Sequence, residues 1–415
     1  MKLCPLSELL DLSDSGVWGD EDPSSGISVL RSTNFNANGT LDLSKLTFRA
    51  LEPRNRERKL LQAGDILLEK SGGGPKQPVG RVCLFKGDNL PHSFGNFIAR
   101  LRPRPGVLSE YLFYFLWQFH ASGKTSHYQK QTTGIRNLEL PRYLSIQVPV
   151  VSLDEQCRIV DFLSRAEGIV RLRREAQKKA AEIIPALFLD MFGDPATNPK
   201  GWRLNTLGAH VFIPSTVRTP DLVLDADRLC IGADSIESNT GTFLSCLTVR
   251  EVVPKSGKYW FEERDVLYSK IRPYLAKVAL AKTHGYCSAD MYPLRSKSTV
   301  EPQFLLSLLL SKAFTDFATA ESVRAQMPKL NRETLFSFTF PLPPAAIQKK
   351  FSVLSEQVQS VLGQQVTASA KAEAIFTALL SRVFSADGLR SLEHAADKAD
   401  GLELDIPLLG DVLCA

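Results

Sequence analysis

The sequence has few of the features that mark membrane or secreted proteins. Its most apolar stretches, at residues 111–119 and 304–310, are far shorter than the roughly 20 residues that a membrane-spanning helix needs. No long apolar run follows the first lysine, so the N-terminus does not resemble a secretory signal. These absences predict a cytoplasmic protein without a membrane partner.

The cysteines and histidines are too scattered to predict a disulfide framework or a metal site. No C-x-x-C pair occurs, and no cysteine lies near paired histidines. The histidines also lack metal-ligand spacing. The pattern fits a reducing compartment. The cysteines are Cys4, Cys83, Cys157, Cys230, Cys246, Cys287 and Cys414, and the histidines are His92, His120, His127, His210, His284 and His394.

Motifs of several common enzyme classes are absent. The run "GGGPKQ" lacks the Lys-Ser/Thr of a phosphate-binding loop, and "SGKT" lacks the glycine five residues earlier. No Asn/Asp-Pro-Pro-Tyr/Phe tetrapeptide of an amino-methyltransferase occurs. Asp65 and Glu69 before Lys70 resemble a nuclease cluster, but the matching segment has Asp265 and then Ser269. We therefore expect a non-catalytic chain.

Length and charge favour a multidomain protein with a polyanionic partner. A chain of 415 residues predicts two to four domains. The formal net charge is +5, but from residue 387 to the end seven acidic residues accompany two basic ones. This acidic C-terminal tail (387–415) carries −5, so the preceding chain carries +10. Such a basic body suits a polyanion.

The chain contains an internal repeat. "IIPALFLDMFGD" begins at residue 183 and the related "IFTALLSRVFSA" at residue 375, an offset of 192. The same offset aligns Gln156 with Gln348 and Pro149 with Pro341. Upstream it grows to 200, where "GDILLEKS" matches "RDVLYSKI". The front of each half therefore tolerates insertions, whereas the back keeps a fixed register.

The back of each half is predicted to be a long helix, over residues 154–191 and 346–384. Spacings that alternate between three and four define an apolar row, which is typical of a coiled-coil seam. Each helix would be about 55 Å long, and Pro185 should bend the first. Alternatively, each helix only covers its own domain. The rows are Ile159, Phe162, Ala166, Ile169, Arg173, Ala176, Ala180, Ile183, Leu187 and Asp190, and Phe351, Leu354, Val358, Val361, Gln365, Ala368, Ala372, Ile375, Leu379 and Arg382.

The sequence resembles the specificity subunit of Type I restriction-modification systems over nearly its whole length. The resemblance rests on "GDILLEKSG" with "GRVCLF", on "QKQTTGIRNLELPRYLSIQVPVVSLDEQCRIVDFL" and on "ALFLDMFGDPATNPKGW". It implies an α+β fold with two pseudo-repeated mixed α/β target-recognition domains, separated by two long helices that pair as an antiparallel coiled coil. The second half departs from the pattern, because "RDVLYSKIRPYLAKVAL" lacks the glycine-rich loop and "SVRAQMPKL" replaces "TTGIRNL".

This reading divides the chain into six parts. They are target-recognition domain 1 (1–151), spacer helix 1 (152–192), a connector (193–202), target-recognition domain 2 (203–343), spacer helix 2 (344–386) and the acidic tail (387–415). Ser152 and Asp154 are possible N-caps of the first helix. The resemblance implies that the domains read an asymmetric bipartite target in double-stranded DNA. It also implies two methyltransferase subunits and restriction (endonuclease and translocase) subunits as partners, which would use S-adenosylmethionine and ATP; this chain would need no cofactor. The rival hypothesis is a coiled-coil scaffold that links partner proteins and no longer reads DNA, and a further one is half of a fused or stand-alone restriction enzyme.

Four clusters are predicted to contact DNA. Lysines and arginines around flexible backbone suit phosphates, whereas Gln, Asn and Arg suit base edges. In the first half the clusters are Lys70, Ser71, Gly72, Lys76 and Arg81, and Gln129, Lys130, Gln131, Thr132, Thr133, Arg136 and Asn137. In the second half they are Lys270, Arg272, Tyr274 and Lys277, and Arg324, Gln326, Lys329 and Asn331.

Overall fold

The computed structural model describes residues 2–24, 26–74, 77–132, 134–214, 216–322 and 328–385. They form two compact units. The first contains residues 1–171 and the described part of 370–415, and the second contains residues 172–369. The boundaries cut both long helices, so each unit holds the beginning of one long helix and the end of the other.

The first unit begins at the N-terminus and runs into the first long helix. Its elements are β1 (Lys2–Pro5), β2 (Leu10–Ser15), β3 (Asp20–Glu21), β4 (Ile27–Leu30), β5 (Phe48–Ala50), α1 (Pro53–Arg58), β6 (Ile66–Glu69), β7 (Ser71–Gly73), β8 (Val82–Leu84), β9 (His92–Phe94), β10 (Ile98–Pro103), α2 (Ser109–Ala121), β11 (Gln129–Thr132), β12 (Ile135–Leu138), α3 (Leu140–Tyr143), β13 (Gln147–Val150) and α4 (Leu153–Ala181).

The second unit begins inside α4 and repeats the same order with changes. Its further elements are α5 (Ile183–Phe192), β14 (Leu204–Thr206), α6 (Leu207–His210), β15 (Val211–Phe212), β16 (Val217–Arg218), β17 (Leu229–Ile231), α7 (Val249–Val252), β18 (Lys258–Phe261), β19 (Val266–Ser269), β20 (Val278–Leu280), β21 (Gly285–Ser288), β22 (Met291–Ser296), α8 (Pro302–Leu310), α9 (Lys312–Ser322), α10 (Arg332–Ser337), β23 (Thr339–Pro341) and α11 (Ala345–Val383).

The two units share one frame. The antiparallel sheet β2-β10-β6-β8 corresponds to β15-β22-β19-β20, and the pair β1–β13 corresponds to β14–β23. Each central sheet packs its apolar side chains against an aromatic or leucine-rich helix, α2 or α8, in the main core of its unit. The predicted α+β fold with two repeated domains and two long helices is confirmed.

The units differ in the sheet that contains their parallel strand pair. The parallel pair is β4–β9 in the first unit and β17–β21 in the second. In the first unit β5 and β3 extend the sheet beyond β4, whereas in the second β18 and β16 extend it beyond β21. The extra strands therefore lie on opposite edges of the shared pair, which gives the two units different surfaces.

The buried rows of the long helices correct half of the predicted seam. Every second predicted position, beginning at Ile159, faces inward, but the intervening positions are displaced by one residue. Leu163 is buried where Phe162 was predicted, and Val170 is buried whereas Ile169 is 53% exposed. The inward row is Gln156, Ile159, Leu163, Ala166, Val170, Arg173, Gln177, Ala180, Ile184, Leu187 and Met191, and adding 192 gives the inward row of α11.

Pro185 interrupts the first long helix. α4 ends at Ala181 and α5 begins at Ile183, whereas α11 runs unbroken through the equivalent Thr377. Proline has no N–H to donate to the carbonyl four residues earlier, which is that of Ala181.

The first long helix, α4, begins with a capping box in which Glu155 N–H donates to Ser152 Oγ at 3.3 Å and Ser152 N–H donates to Glu155 Oε2 at 3.1 Å.

The end of each long helix packs on the domain of the other half. Phe192 of α5 lies 4.9 Å, between ring centroids, from Phe304 of α8 in the second unit. Phe384, which follows α11, lies 5.6 Å from Tyr111 of α2 in the first. In both units the beginning of one long helix therefore shares a hydrophobic core with the end of the other. The alternative, in which each helix covers only its own domain, is wrong for these ends.

A buried glutamine holds each helix to its own domain. Gln156 accepts from Leu108 N–H at 2.9 Å and donates to the carbonyls of Gly106 at 3.3 Å and Val151 at 3.0 Å. Gln348 makes the equivalent bonds, accepting at 2.9 Å and donating at 3.2 and 2.8 Å. Both side chains are almost completely buried. The repeat thus preserves a polar contact that fixes how each domain meets its helix.

Candidate nucleic-acid interface

A three-stranded sheet in the first unit joins the two clusters that were predicted there. β12 lies in the centre, with β11 on one side and β7 on the other. Asn137 pairs with Lys130 on β11 and with Ser71 on β7, and the Ser71 hydroxyl donates to the Asn137 side-chain oxygen. Two segments that are distant in the sequence therefore form one polar surface, which we call the β7/β11/β12 surface.

The backbone of Lys70 connects this surface to the central sheet. Its N–H donates to the Phe97 carbonyl at 2.9 Å, and its carbonyl accepts from Leu138 N–H at 2.8 Å. Partial burial lowers the pKa of the Lys70 ammonium. Gly72 has a φ of +95°, and a Cβ there would lie 3.2 Å from the Phe97 ring. The positive φ therefore favours glycine at this position, where the Phe97 ring also leaves little space for a side chain.

Two residues of the first unit have other partners than DNA. Arg81 makes a two-pronged ion pair with Glu69, at 2.8 Å for both bonds, and also donates to two backbone carbonyls. The Glu69 carboxylate raises the pKa of Arg81. Gln129 donates to the Val79 carbonyl at 3.0 Å. The Arg81 guanidinium and the Gln129 amide are therefore engaged inside the unit, and the predicted contacts of these two side chains with DNA stay predictions.

The side chains of β11 and β12 are more accessible. Lys130 is 71% exposed and forms an ion pair with Glu139, and Gln131 is exposed. Arg136 stands opposite Gln131 on β12 and is half-buried. These three side chains alternate along antiparallel strands, so Lys130 points to one face of the sheet and Gln131 with Arg136 to the other.

The carboxylates that resembled a nuclease cluster are structural. Asp65 is 1% exposed and accepts from Arg102 Nε at 2.7 Å and Nη2 at 2.8 Å. Asp265 pairs with Arg295 in the same way, at 2.8 and 2.9 Å. Glu69 is occupied by the arginine described above. Each acid therefore has a fixed cationic partner, which removes the nuclease interpretation.

In the second unit, backbone contacts between residues 271–272 and 328–329 bring the two predicted clusters together. Arg272 N–H donates to the Pro328 carbonyl at 2.9 Å, and Ile271 forms a bridge with Lys329. Arg272 and Lys329 are exposed, and Tyr274 is 49% exposed. Arg272 has a φ of +51°, a conformation that rarely suits a side chain. These three side chains are the accessible candidates of the second unit.

Three other candidates of the second unit are engaged in its own structure. Lys270 is 8% exposed and donates to the Ala289 carbonyl, and burial lowers its pKa. Lys277 donates to the Ala233 carbonyl at 2.7 Å. Asn331 is the N-cap of α10, where its side chain accepts from Thr334 N–H at 2.8 Å. These polar atoms are therefore bound within the fold, and the predicted phosphate or base roles of the three side chains stay predictions.

Some predicted contacts lie outside the described residues. These are Lys76, Thr133, Arg324 and Gln326, together with the Thr132 side chain and the acidic tail.

Sequence reasoning missed an arginine held between aromatic rings on the second unit. The exposed Arg218 guanidinium lies 5.4 Å from the Trp260 ring centroid and 5.2 Å from that of Tyr286. It donates to the Tyr286 hydroxyl at 2.7 Å, which donates to Asp225 at 2.6 Å. The rings hold the guanidinium in place, and an exposed guanidinium in a fixed position suits the phosphates of nucleic acid. The cluster depends on the pairing of β16, β18 and β21, which local sequence patterns do not reveal.

The described residues offer no site for a metal ion, since no three His, Cys, Asp or Glu side chains among them are suitably grouped. In that same part of the chain, no helix is both long enough and apolar enough to cross a membrane.

The chain matches the family model for the Type I restriction modification DNA specificity domain over residues 24–182 and again over residues 231–358. One match falls in each half, and together they cover more than half of the chain. The protein therefore belongs to this family, and the resemblance drawn from its motifs is confirmed.

Individual relatives agree with this assignment. The chain is 35% identical over 161 residues to the Type I restriction enzyme EcoDI specificity subunit of Escherichia coli, covering 39% of this chain and 35% of that protein. It is 25% identical over 184 residues to the MjaIX specificity subunit of Methanocaldococcus jannaschii, covering 39% of each. The matched region thus spans less than half of these curated relatives.

Two solved structures share the fold. One comes from work on complex assembly and conformational transition of the type I R-M system; it has a TM-score of 0.55 and 16% identity, covering 93% of this chain and 98% of the other. The other is a Type-I restriction-modification system S subunit from M. genitalium, with a TM-score of 0.50 and 14% identity, covering 92% and 96%. At these identities the likeness concerns the fold alone.

Proposed function

We propose that this chain is a non-catalytic specificity subunit that reads an asymmetric bipartite sequence in double-stranded DNA. Residues 1–151 recognise one half-site and residues 203–343 recognise the other. The supporting observation is the repeated frame, on which different strands and side chains are mounted in the two units. A duplicated frame with unequal surfaces suits two different half-sites on one duplex.

The proposed DNA contacts are those whose polar groups are accessible. In the first unit they are the β7/β11/β12 surface with Lys70, Ser71 and Gly72, to which Lys76, Thr132 and Thr133 are added from the sequence. In the second unit they are Arg218, Arg272, Tyr274 and Lys329, with Arg324 and Gln326 added from the sequence. Lysines and arginines would position the duplex through its phosphates, and Gln131 with Arg136, which share one face of the sheet, would contact base edges. Asn137 lies on the opposite face with Lys130, and its predicted base contact would be made from that face.

The long helices would act as spacer and docking surface. They would hold two methyltransferase subunits, which bind S-adenosylmethionine, and the restriction subunits, which use ATP, in the cytoplasm. This chain would itself bind neither cofactor. Its contribution is the choice of sequence and the distance between half-sites.

Sequencing of methylated bases tests the proposal. Host DNA should carry a bipartite methylated motif when this chain and its partner subunits are present, and the motif should disappear when this chain alone is deleted. A methylation pattern that does not change on deletion contradicts the proposal. Fluorescence anisotropy with a random duplex at low salt distinguishes this proposal from the scaffold hypothesis, since a scaffold that no longer reads DNA would not bind the duplex.

A further inference from the structure

The short helix α1 (Pro53–Arg58) contributes nothing to the core of the first unit. None of its residues is buried. A six-residue helix is unstable alone, because nucleation costs more than so few hydrogen bonds return. Pro53 at its first turn favours the helix start, but this is a small effect. The helix must therefore be held by contacts near its ends.

A buried ion network provides this anchor. Arg100, which is 1% exposed, donates to the Asp14 carboxylate at 3.0 and 2.9 Å. The same guanidinium donates to the carbonyls of Arg58 at 2.9 Å and Leu60 at 2.7 Å. Lys59 also donates to Asp14, at 2.6 Å. Burying an arginine is costly unless it is fully paired, and here the pairing fixes the C-terminal end of α1.

The anchored helix displays positive charge. Arg54, Arg56 and Arg58 are exposed, and none of them has a side-chain hydrogen bond or an ion pair within the part of the chain that the structure describes. Arg54 and Arg58 are one turn apart, where like charges repel. Glu57 is the single acid of the helix. This arrangement is unfavourable for the isolated protein and suits an anion, whose oxygens match the guanidinium fork.

Among the described residues of the second unit, no short helix displays several exposed arginines. The short helix α7 (Val249–Val252) is packed into the fold through Val249, which is fully buried. Its arginine, Arg250, donates to Asp227 at 2.8 Å. Within the part of the chain that the structure describes, the short arginine-bearing helix therefore belongs to the first unit.

We propose that α1 is a DNA-backbone contact of the first unit, separate from the β7/β11/β12 surface, in which Arg54, Arg56 and Arg58 bind phosphates. The inference rests on the proposed function in taking duplex DNA as the ligand. It adds three sequence-independent, salt-sensitive phosphate contacts to the first unit.

The test uses the full chain and a random-sequence duplex, with affinity measured by anisotropy over a range of salt concentrations. Log affinity falls as log salt concentration rises, and each phosphate contact contributes about 0.9 to the steepness of this fall. The triple variant Arg54→Ala, Arg56→Ala, Arg58→Ala should therefore make the slope about 2–3 less steep. The triple Lys variant at the same positions should keep most of the slope. The matched control Arg158→Ala, Lys178→Ala, Lys179→Ala removes the same charge from α4 and should leave the slope near that of the unaltered chain.

The outcomes separate this inference from the proposed function. If the unaltered chain does not bind duplex, the proposed function fails. If it binds and the Ala triple keeps the full slope, or the α4 control loses as much slope as the Ala triple, only the role of α1 is overturned. Loss of methyltransferase-subunit binding with an unchanged DNA slope also overturns it, since α1 would then be a protein contact. Equal melting temperatures for the Ala triple and the unaltered chain should exclude unfolding, because α1 buries nothing.

Discussion

Replacing Gln156 by Ala should loosen the first unit at the start of α4. The substitution removes three buried hydrogen bonds and leaves the Leu108 N–H without its acceptor. A net hydrogen bond is worth about 1 kcal/mol and an orphaned buried donor costs about 1–3 kcal/mol, so we expect a loss of roughly 2–4 kcal/mol. Gln348→Ala should have the same effect on the second unit, through the Glu301 N–H.

Hydrogen exchange followed by mass spectrometry of the full chain would measure this loss locally. A loss of 2 kcal/mol corresponds to about 30-fold faster exchange where exchange follows opening of the contact. In Gln156→Ala the acceleration should appear in peptides that contain Leu108, and in Gln348→Ala in those that contain Glu301. Gln364→Ala is the matched control, because Gln364 is exposed on α11. Unchanged exchange at both amides would refute the reasoning.

Five further variants test the long helices and the half-buried His120. Phe192→Ala should destabilise the second unit by about 3–5 kcal/mol and speed hydrogen exchange in α8 but not in α2. Phe384→Ala should speed hydrogen exchange in α2. The opposite result would contradict the packing of each helix end on the domain of the other half. Pro185→Ala should restore one continuous helix, which a crystal structure would show. Thr377→Pro should lower the free energy of unfolding by about 3 kcal/mol, measured by urea unfolding. An unbroken α11 in the Thr377→Pro variant would count against proline as the cause of the interruption. Burial lowers the pKa of His120, so its contribution to stability is present above its unfolded pKa of about 6.5 and is lost as the pH falls below that value. His120→Gln should therefore flatten the decline in melting temperature over that pH range. An unaltered dependence of melting temperature on pH would contradict this.

The repeat and the long helices were predictable because their evidence is local and periodic. The 192-residue offset places Gln156 over Gln348, and the structure gives both the same three hydrogen bonds. The sequence was less clear about which of two adjacent apolar residues on each long helix faces inward. Adjacent apolar pairs such as Phe162 and Leu163 fit either spacing, and the choice depends on how the helix start docks on its domain.

Individual site residues were harder to predict than clusters. The two clusters of the first half meet in one sheet, yet Arg81 turns inward to Glu69 and Lys277 to a carbonyl. A lysine or arginine in a loop looks the same in sequence whether it faces solvent or an internal carboxylate. The partner is set by strand pairing between distant segments, which one sequence does not specify.

The difference between the two domains was also not predictable from the chain. β5 and β18 are attached to opposite edges of the shared parallel pair, although both are short strands between loops. Edge choice depends on long-range contacts rather than on local propensity. This choice creates the unequal surfaces on which the proposed asymmetric target depends, so the least predictable part of the fold matters most for specificity.

The most direct test of the central claim is to lengthen both long helices by one heptad at positions 192 residues apart, which preserves the inward rows, and to sequence the methylated bases. Seven residues add about 10.5 Å, which corresponds to about three base pairs at roughly 3.4 Å each. We expect both half-sites to be unchanged and the spacer between them to be about three base pairs longer. Methylation of the original motif with its original spacer would contradict the account.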